Sequence, residues 1–551
     1  MAQLFLKPQG WQGRTVPLDG DEISIGRHPT NTIRVRDDRA SRKHCTISRA
    51  EDGLFYVRDL NSRNGTKVNG VAITESALRA GDVLRVGKHD FEVIVREPEG
   101  DAPAAPARRR RGGDAEPEPT WARELREVIS DLPPKGESDL EVGIIDASGH
   151  TTDALSGDTP GPRAVRMLLA CASKARATDI HIEPRAETHA IRMRVDGQMI
   201  PVIELPASVG ELACGLIKTA CEMETAGRRA MLDGTFSATL APRGDKPRRI
   251  EFRVSFTPAV HGQKMVARVL DSLGAPESLE SLGLATYMLP AVRRVVEKDH
   301  GMILACGPTG SGKTTTLYNC LREIDREAKN VVTIEDPVEY KLEGVTQIPV
   351  ADKQGAGFGD VLRSVLRQDP DVIFVGEIRD DKTARTAMQA AMTGHLVFST
   401  VHAKDTMAAV FRLLDLGVEP YLVANSLDLV LAQRLVRVLC DNCKTPIAIS
   451  PGQSSKIGKY LAAGAGGGRP TVYASTGCAR CLRTGYRGRR AIFELLEFND
   501  EMRDVVLRAP SIQELRRIAD QGVFTTLAQF GWRLAGEGVT TLDEVDRVAG
   551  G

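Results

Sequence analysis

The stretch GMILACGPTGSGKTTTLYNCLREI, residues 301–324, decides the reading of the chain. Its first six residues are apolar apart from Gly301, the pattern of a strand buried on both faces. Then Gly307, Pro308, Thr309, Gly310, Ser311, Gly312, Lys313 and Thr314 follow G-x-x-x-x-G-K-[ST], and a helical run begins at once. Strand, glycine loop and helix are the context this motif requires. Glycines let successive backbone N–H groups close around phosphate oxygens, and the helix N-terminus adds its dipole. Lys313 then reaches the β- and γ-phosphates, and Thr314 offers its hydroxyl to Mg2+. With Thr315 completing the set, the expected ligands are ATP and Mg2+.

Three further segments follow the loop. In DPDVIFVGEIRD, Asp371 precedes an expected strand Val372–Val375 and Glu377 lies just past its end. A carboxylate at a strand tip beside such a loop can hold Mg2+ through water or polarise the attacking water. In VVTIEDPVEY, Glu335, Asp336 and Glu339 cluster after an expected strand at 331–334. In TGHLVFSTVHAKD, His395 and His402 flank a strand-like run. By residue type alone, a functional histidine that senses the γ-phosphate or couples neighbouring subunits and a hydrogen-bonded structural histidine are even readings of each.

Composition sets the frame. A chain of 551 residues exceeds one ordinary core, so roughly three or four domains are expected. Lys+Arg and Asp+Glu are 73 each, so bulk charge gives no argument for nucleic-acid binding, and none is expected. MAQLFLKPQG lacks the apolar run of a secretory signal, and no uninterrupted apolar stretch is long enough to span a bilayer. Of ten cysteines, six are scattered (Cys45, Cys171, Cys214, Cys221, Cys306, Cys320) and four form two C-x-x-C pairs. That usage reads as a reduced, cytoplasmic chain with a metal site.

Residues 1–96 read as short strands separated by turns, an all-β sandwich. Residues 97–120 are rich in Pro, Gly, Ala and charge, and read as a flexible linker. The arginine run at 108–111 within it reads as a solvated basic patch, with contact to anionic lipid as the alternative. From 121 to about 275 a mixed α/β domain is expected. Its helix PRAVRMLLACASKAR leads to the paired strands DIHIEP and HAIRMRVDG, which turn at Asp196-Gly197. A helix VGELACGLIKTACEMETAG and the strands RRIEFRVSF and KMVARVLD follow. From 285 to 551 alternating strands and helices suggest a parallel sheet. A Gly-rich loop occupies 461–470.

The runs GPTGSGKTTTLY, TIEDPVEY, LRQDPDVIFVGEIRD and TGHLVFSTVHAKD stand in order, preceded by ATDIHIEP, IRMRVDG and RVSFTPAVHGQKMVARVLD. Together they resemble the secretion ATPases of type II secretion and type IV pilus systems, over about residues 163–551. The resemblance implies a hexameric ring of RecA-like ATPase domains, each preceded by a smaller PAS-like α/β domain. It also implies an inner-membrane platform as partner and a place at the cytoplasmic face of that membrane. It assigns Glu377 to the attacking water, and Glu335, Asp336 and His402 to nucleotide sensing. Arg253 in RVSF and Arg268 in ARVLD match arginines that complete the ATP site. A guanidinium suits that task because it neutralises charge spread over the γ-phosphate. One departure is MLDGTFS, with Leu232 and Thr235 at variable positions, where the family commonly has Gln-Asp-Gly-Arg.

Cys440 and Cys443 in LCDNCK and Cys478 and Cys481 in GCARCLR supply four thiolates for a tetrahedral Zn2+ site in a subdomain spanning 436–495. Assembly-type motors of the resembled family carry such an insertion and retraction-type motors lack it.

The N-terminal stretches SIGRHPTNTI, SRKHCTI and DLNSRNGTKVNG together resemble a forkhead-associated (FHA) domain, a reader of phosphothreonine peptides. Arg27 and Ser41 match its phosphate-contacting positions, with Arg42 and Arg63 beside them. Asn64 matches the side chain that grips the peptide backbone, and His44 a loop-bracing position. A dianionic phosphate favours convergent arginine and hydroxyl donors on loops held by a rigid sandwich. The functions expected are therefore an ATP-driven motor with phosphothreonine-linked recruitment. A retraction or DNA-uptake motor and a phosphopeptide scaffold with weak ATPase are the alternatives.

Overall fold

The computed structural model describes residues 3–9, 16–18, 22–27, 31–35, 37, 39–50, 54–96, 118–133, 141–152, 157–225, 230–241, 248–271, 276–350, 357–458, 471–508 and 511–550. Most of the expected linker, the arginine run at 108–111 and the Gly-rich loop at 461–470 lie outside the described residues. The chain divides into two units, Met1–Ala115 and Glu116–Gly551.

The first unit is a sandwich of a five-stranded and a six-stranded sheet. Alternation along Glu22–Gly26, Cys45–Arg49 and Phe55–Asp59 turns Ile23, Ile25, Cys45, Ile47, Phe55 and Val57 into the core. Leu6, Leu84, Val86, Phe91 and Val93 from the other sheet meet them. Two elements go beyond the sequence expectation. Gln3–Gln9 pairs with His89–Arg96 along its whole length. Thr66–Val68 and Val71–Ile73 form a hairpin. Its two turn residues, Asn69 (φ 51°) and Gly70 (φ 83°), have the left-handed backbone that matches strand twist.

The second unit contains two larger sheets. An eight-stranded antiparallel sheet runs, in spatial order, Thr151–Thr152, Glu141–Ile145, Leu232–Ala241, Arg248–Ala259, Gly262–Leu270, Ala177–Pro184, Thr188–Val195 and Gln198–Pro206. One face buries Ile180, Ile182, Met193, Phe236, Phe252, Val254 and Phe256 with the helices Pro160–Ala175 and Ala207–Ala220. The other face carries Asp179, Arg194, Arg253 and Arg268 in cross-strand register. The chain just ahead of that sheet forms a helix, Thr120–Asp131, and the two short edge strands. Ala207–Ala220 is shorter than the sequence pattern suggested, because the chain turns at Glu222 with φ 54°.

The seven-stranded sheet has the order Thr346–Pro349, Val331–Glu335, Val372–Val375, Leu396–Val401, Gly301–Cys306, Leu427–Leu439, Tyr486–Glu497. All neighbours are parallel except the last pair. Every residue of Gly301–Cys306, Val331–Glu335, Val372–Val375 and Leu396–Val401 is buried, as a sheet covered by helices on both faces requires. Each large apolar side chain so buried contributes roughly 1.5–3 kcal/mol. The carboxyl ends of these strands hold the loops singled out in the sequence.

Candidate functional site

The nucleotide loop leaves the buried strand at Cys306 and enters the helix Lys313–Glu323. Gly307 (φ 154°) and Gly312 (φ 87°) have backbones suited to glycine. A side chain on Gly307 would meet the Gln433 carbonyl at 2.5 Å, and one on Gly312 the Gln433 amide at 2.8 Å. No side chain caps the helix, which leaves its first-turn N–H groups available to an anion. Lys313 Nζ donates to the Gly307 and Pro308 carbonyls at 2.9 and 3.1 Å. Burial, with Arg434 nearby, holds this ammonium below the usual lysine range despite the opposing Cys306. Thr309, Gly310, Ser311, Thr314 and Thr315 line the same cleft, of about 2120 Å³.

Glu377 follows Val372–Val375 as expected, and its backbone is pinned. Gly376 N donates to Ile334 O at 2.8 Å, and the Thr400 hydroxyl donates to Gly376 O at 2.7 Å. The carboxylate accepts a bond from Arg379 and faces His402 Nε2 at 3.2 Å. His402 Nδ1 lies 3.2 Å from Gly307 O, so one imidazole links the nucleotide loop to Glu377. Burial, Lys313 and Arg379 lower the His402 pKa, against the raising effect of its bond to Gly307. His395 lies at the opposite end of Leu396–Val401 and bonds Ala390 O at 3.0 Å, so of the two candidates His402 is the one beside the nucleotide loop. Asp371 also lies at the far end of its strand, where it accepts from Asn330 N at 2.7 Å.

Glu335 departs from the expectation of a loop position. It is the last residue of its strand and only 2% exposed. One carboxylate oxygen accepts from Tyr318 and the other from Thr333 at 2.6 Å and Gln347 at 3.2 Å. Tyr318 belongs to the helix that begins with Lys313, so Glu335 ties that helix to the neighbouring strand. Asp336 is more open, 3.8 Å from Arg379.

Arg253 crosses from the antiparallel sheet to donate to Val338 O at 3.0 Å, and it lines the cleft. Arg268, opposite it on the next strand, is 69% exposed, stands outside the cleft lining and pairs with Asp179 at 3.2 Å. Thr235, where the resembled family has Arg, faces Arg253 in register. Arg379, Gln433 and Tyr318 were not legible as site residues. Arg379 stands two residues past Glu377, whereas Tyr318 meets Glu335 on the neighbouring strand and Gln433 accepts from Thr316, 117 residues away in sequence.

The four cysteines converge. Their sulfur atoms all lie within 4.8 Å of one another, with Cys440–Cys478 at 3.8 Å, Cys443–Cys481 at 3.9 Å and Cys478–Cys481 at 3.7 Å. Tetrahedral zinc with ligands at about 2.3 Å separates its sulfurs by about 3.8 Å, so the group fits Zn2+ and not a disulfide. Backbone N–H groups of Cys478 and Gly485 point at Cys481 Sγ, both at 3.2 Å, which suits a thiolate. The other six cysteines are buried.

In the first unit, Arg27, Ser41, Arg42 and Arg63 line one pocket, joined by Arg39 and Ala40. Gly26 is required beside it, because a side chain there would meet Arg42 O at 2.5 Å. His44, wholly buried, accepts from Ser41 N at 3.0 Å through Nδ1. Nε2 therefore carries the proton and faces Gly65 O at 3.2 Å, so the ring braces two loops. Asn64 Nδ2 donates to Arg39 O at 2.7 Å, which leaves the amide oxygen to accept a peptide N–H. Among the described residues no helix is long and apolar enough to cross a membrane.

The Type II/IV secretion system protein family matches residues 154–547 and the FHA domain matches residues 23–87. Type II secretion system protein E of Pseudomonas aeruginosa is 39% identical over 415 residues, covering 75% of this chain and 80% of that protein. The type IV pilus assembly ATPase PilB of Myxococcus xanthus is 39% identical over 396 residues, covering 70% of this chain and 68% of that protein. Among solved structures, the Legionella pneumophila ATPase DotB shares the fold, with a TM-score of 0.53 at 20% identity over 71% of this chain and 96% of that one. The chain therefore belongs to the type II/IV secretion ATPase family, as an ATP hydrolase that carries an FHA domain ahead of its motor.

Proposed function

We propose that this chain works as a cytoplasmic homo-hexamer at an inner-membrane platform, where ATP hydrolysis drives type II secretion or type IV pilus assembly. Its FHA domain links recruitment or regulation to a phosphothreonine-containing protein. The observation that carries the motor reading is Glu377, held at a strand end and joined through His402 to the nucleotide loop at Gly307.

In this reading Lys313 and the loop N–H groups hold the β- and γ-phosphates. Glu377 orients a water for in-line attack on the γ-phosphorus. The bond to the β–γ bridging oxygen breaks, and the water's protons pass to the carboxylate and phosphate. Mg2+, when bound at the Thr314 hydroxyl, neutralises phosphate charge. His402 reports the state of the loop to Glu377, and Arg379 holds the carboxylate against Asp336. Glu335 acts through position, since its oxygens are taken by Tyr318, Thr333 and Gln347. Arg253 supplies positive charge from the smaller domain. Arg268 serves the ring in the same way once it leaves Asp179. The tetracysteine cluster holds a structural Zn2+, which favours an extension or export motor over a retraction motor.

Turnover and mass of the purified full chain test the reading. Glu377→Gln should still bind ATP while kcat falls by about 10²–10⁴-fold. Light scattering with nucleotide should give six protomers, and a wild type with no more turnover than Glu377→Gln overturns the motor.

A further inference from the structure

The strand Leu427–Leu439 runs past the nucleotide loop. It pairs with Gly301–Cys306 as far as Ala432, opposite Cys306, and then continues beyond the end of that strand. Gln433 and Arg434 therefore lie beside the loop, and as neighbours in a strand they send their side chains to opposite faces. Gln433, 2% exposed, accepts from the Thr316 hydroxyl at 2.7 Å, in the first turn of the helix Lys313–Glu323. Arg434, half-buried, goes the other way. Its Nη1 donates to Gln433 O at 2.9 Å, and its Nη2 to Lys404 O at 2.5 Å and Ala403 O at 3.5 Å. Gly307 closes the arrangement, because a side chain there would meet Gln433 O at 2.5 Å and Arg434 Nη1 at 3.0 Å. One guanidinium thus touches the strand behind the nucleotide loop, the first residue of that loop and the turn that follows His402.

Among the described residues no carboxylate pairs with Arg434. Burial lowers its pKa, and Asp405 and Glu494 oppose this only at longer range. Both acids are occupied at the start of the helix Thr406–Asp415. Asp405 accepts from Ala408 N at 2.7 Å, and Glu494 from the Thr406 N–H and hydroxyl at 3.0 and 2.6 Å. Gln433 and Leu435 line the nucleotide cleft, whereas Arg434 between them does not. Its charge is therefore fixed on backbone carbonyls behind the site, not on a carboxylate and not on the nucleotide.

We propose that Arg434 is a positioning residue for ATP hydrolysis, which clamps the Ala403–Lys404 turn to the nucleotide loop and thereby fixes His402 between Gly307 and Glu377. The inference rests on the motor reading above, in which Glu377 orients the attacking water. His402 bridges the two with Nδ1 at 3.2 Å from Gly307 O and Nε2 at 3.2 Å from Glu377. Its side chain is 53% exposed, so packing alone does not hold it, and the backbone that carries it has to be fixed from behind. A guanidinium suits that task. Its planar fork reaches carbonyls of two segments at once, whereas an ammonium is a single point on a flexible stem.

Steady-state ATPase kinetics of the full chain test this with Arg434→Ala, Arg434→Lys, His402→Ala and the double variant of Arg434→Ala with His402→Ala. A urea-unfolding midpoint is measured for each. Arg434→Ala should lower kcat about 10- to 100-fold, the range for losing a charge-assisted bond, with KM for ATP within about threefold. Arg434→Lys should recover only part of the loss. In the His402→Ala background, Arg434→Ala should cost no more than about twofold further, because both changes act through one imidazole. A wild-type kcat in Arg434→Ala overturns the proposal and leaves the motor reading intact. So does a rise in KM at constant kcat, which would make Arg434 a binding residue. The full loss repeated in the His402→Ala background also overturns it, because Arg434 then acts elsewhere. If Arg434→Ala does not fold, a folded Arg434→Lys with wild-type kcat overturns the proposal in its place. A wild type no faster than Glu377→Gln overturns the motor reading, and this inference with it.

Discussion

The nucleotide loop and the arginine loops of the FHA domain meet phosphate in opposite ways. In the first, one lysine works beside a ring of backbone N–H groups, on a strand whose six residues are all buried. In the second, four arginines on exposed loops line one pocket. The physical reason is exposure. Backbone dipoles are neutral, so they can be fixed inside a packed sheet at no cost in buried charge. Arginines gathered at one point are tolerated only where solvent screens them.

The largest expected effect tests the premise that an arginine's countercharge fixes its role. Arg437 is the contrast to both sites. It bonds Glu544 at 2.6 Å, covers the Tyr486 ring at 4.1 Å and leaves no charge for a ligand. Glu544→Ala should destabilise the second unit by ~3–5 kcal/mol, because it strands a buried guanidinium. Chemical denaturation measures this. Burial would raise the Glu544 pKa, but bonds from Arg547 and Arg437 bring it down to about 2. Its stabilisation is therefore complete above the ordinary value of 4.5 and is lost as pH falls towards about 2. The variant should lack that acid dependence.

Next in size, Lys313→Ala should lower ATP turnover by about 10²–10³-fold, the range for removing one preorganised charge donor. Phosphopeptide affinity in the same protein should stay within twofold. Arg27→Ala should do the reverse, weakening phosphopeptide binding by roughly 10- to 100-fold through loss of a charge-assisted bond. ATP turnover should be unchanged. If either variant alters the other site's titration, the two are coupled and the comparison above fails. The smallest effect belongs to Tyr318→Phe, which removes one donor from buried Glu335 and should cost ~1–3 kcal/mol of stability. A fall in kcat at constant KM would show that Glu335 positions the loop.

Much of this was legible in sequence. The residues 307–314 announced the nucleotide loop, and Glu377 was found because its strand is a short apolar run with a carboxylate at the tip. Cys440, Cys443, Cys478 and Cys481 were paired by spacing alone, and the structure brings their sulfurs together. Other features were not legible. Glu335 read as a loop acid, because sequence carries no sign of the tyrosine that buries it. His395 and His402 look alike in sequence, and only the direction of the parallel strand between them separates the end that faces the nucleotide from the end that does not.

The sequence by itself determined the chemistry that each segment can perform, because glycine spacing, thiol pairs and buried-strand patterns are local physical requirements. Tertiary structure alone decided which charges are spent and which are offered. Arg437 and Arg39 are the same side chain in sequence. One is closed by a carboxylate from a helix about a hundred residues away, and the other meets no described acid. That distinction depends on which distant residues packing brings within a few ångströms, and Coulomb energy at such distances in a partly dry interior outweighs anything the neighbouring residues encode.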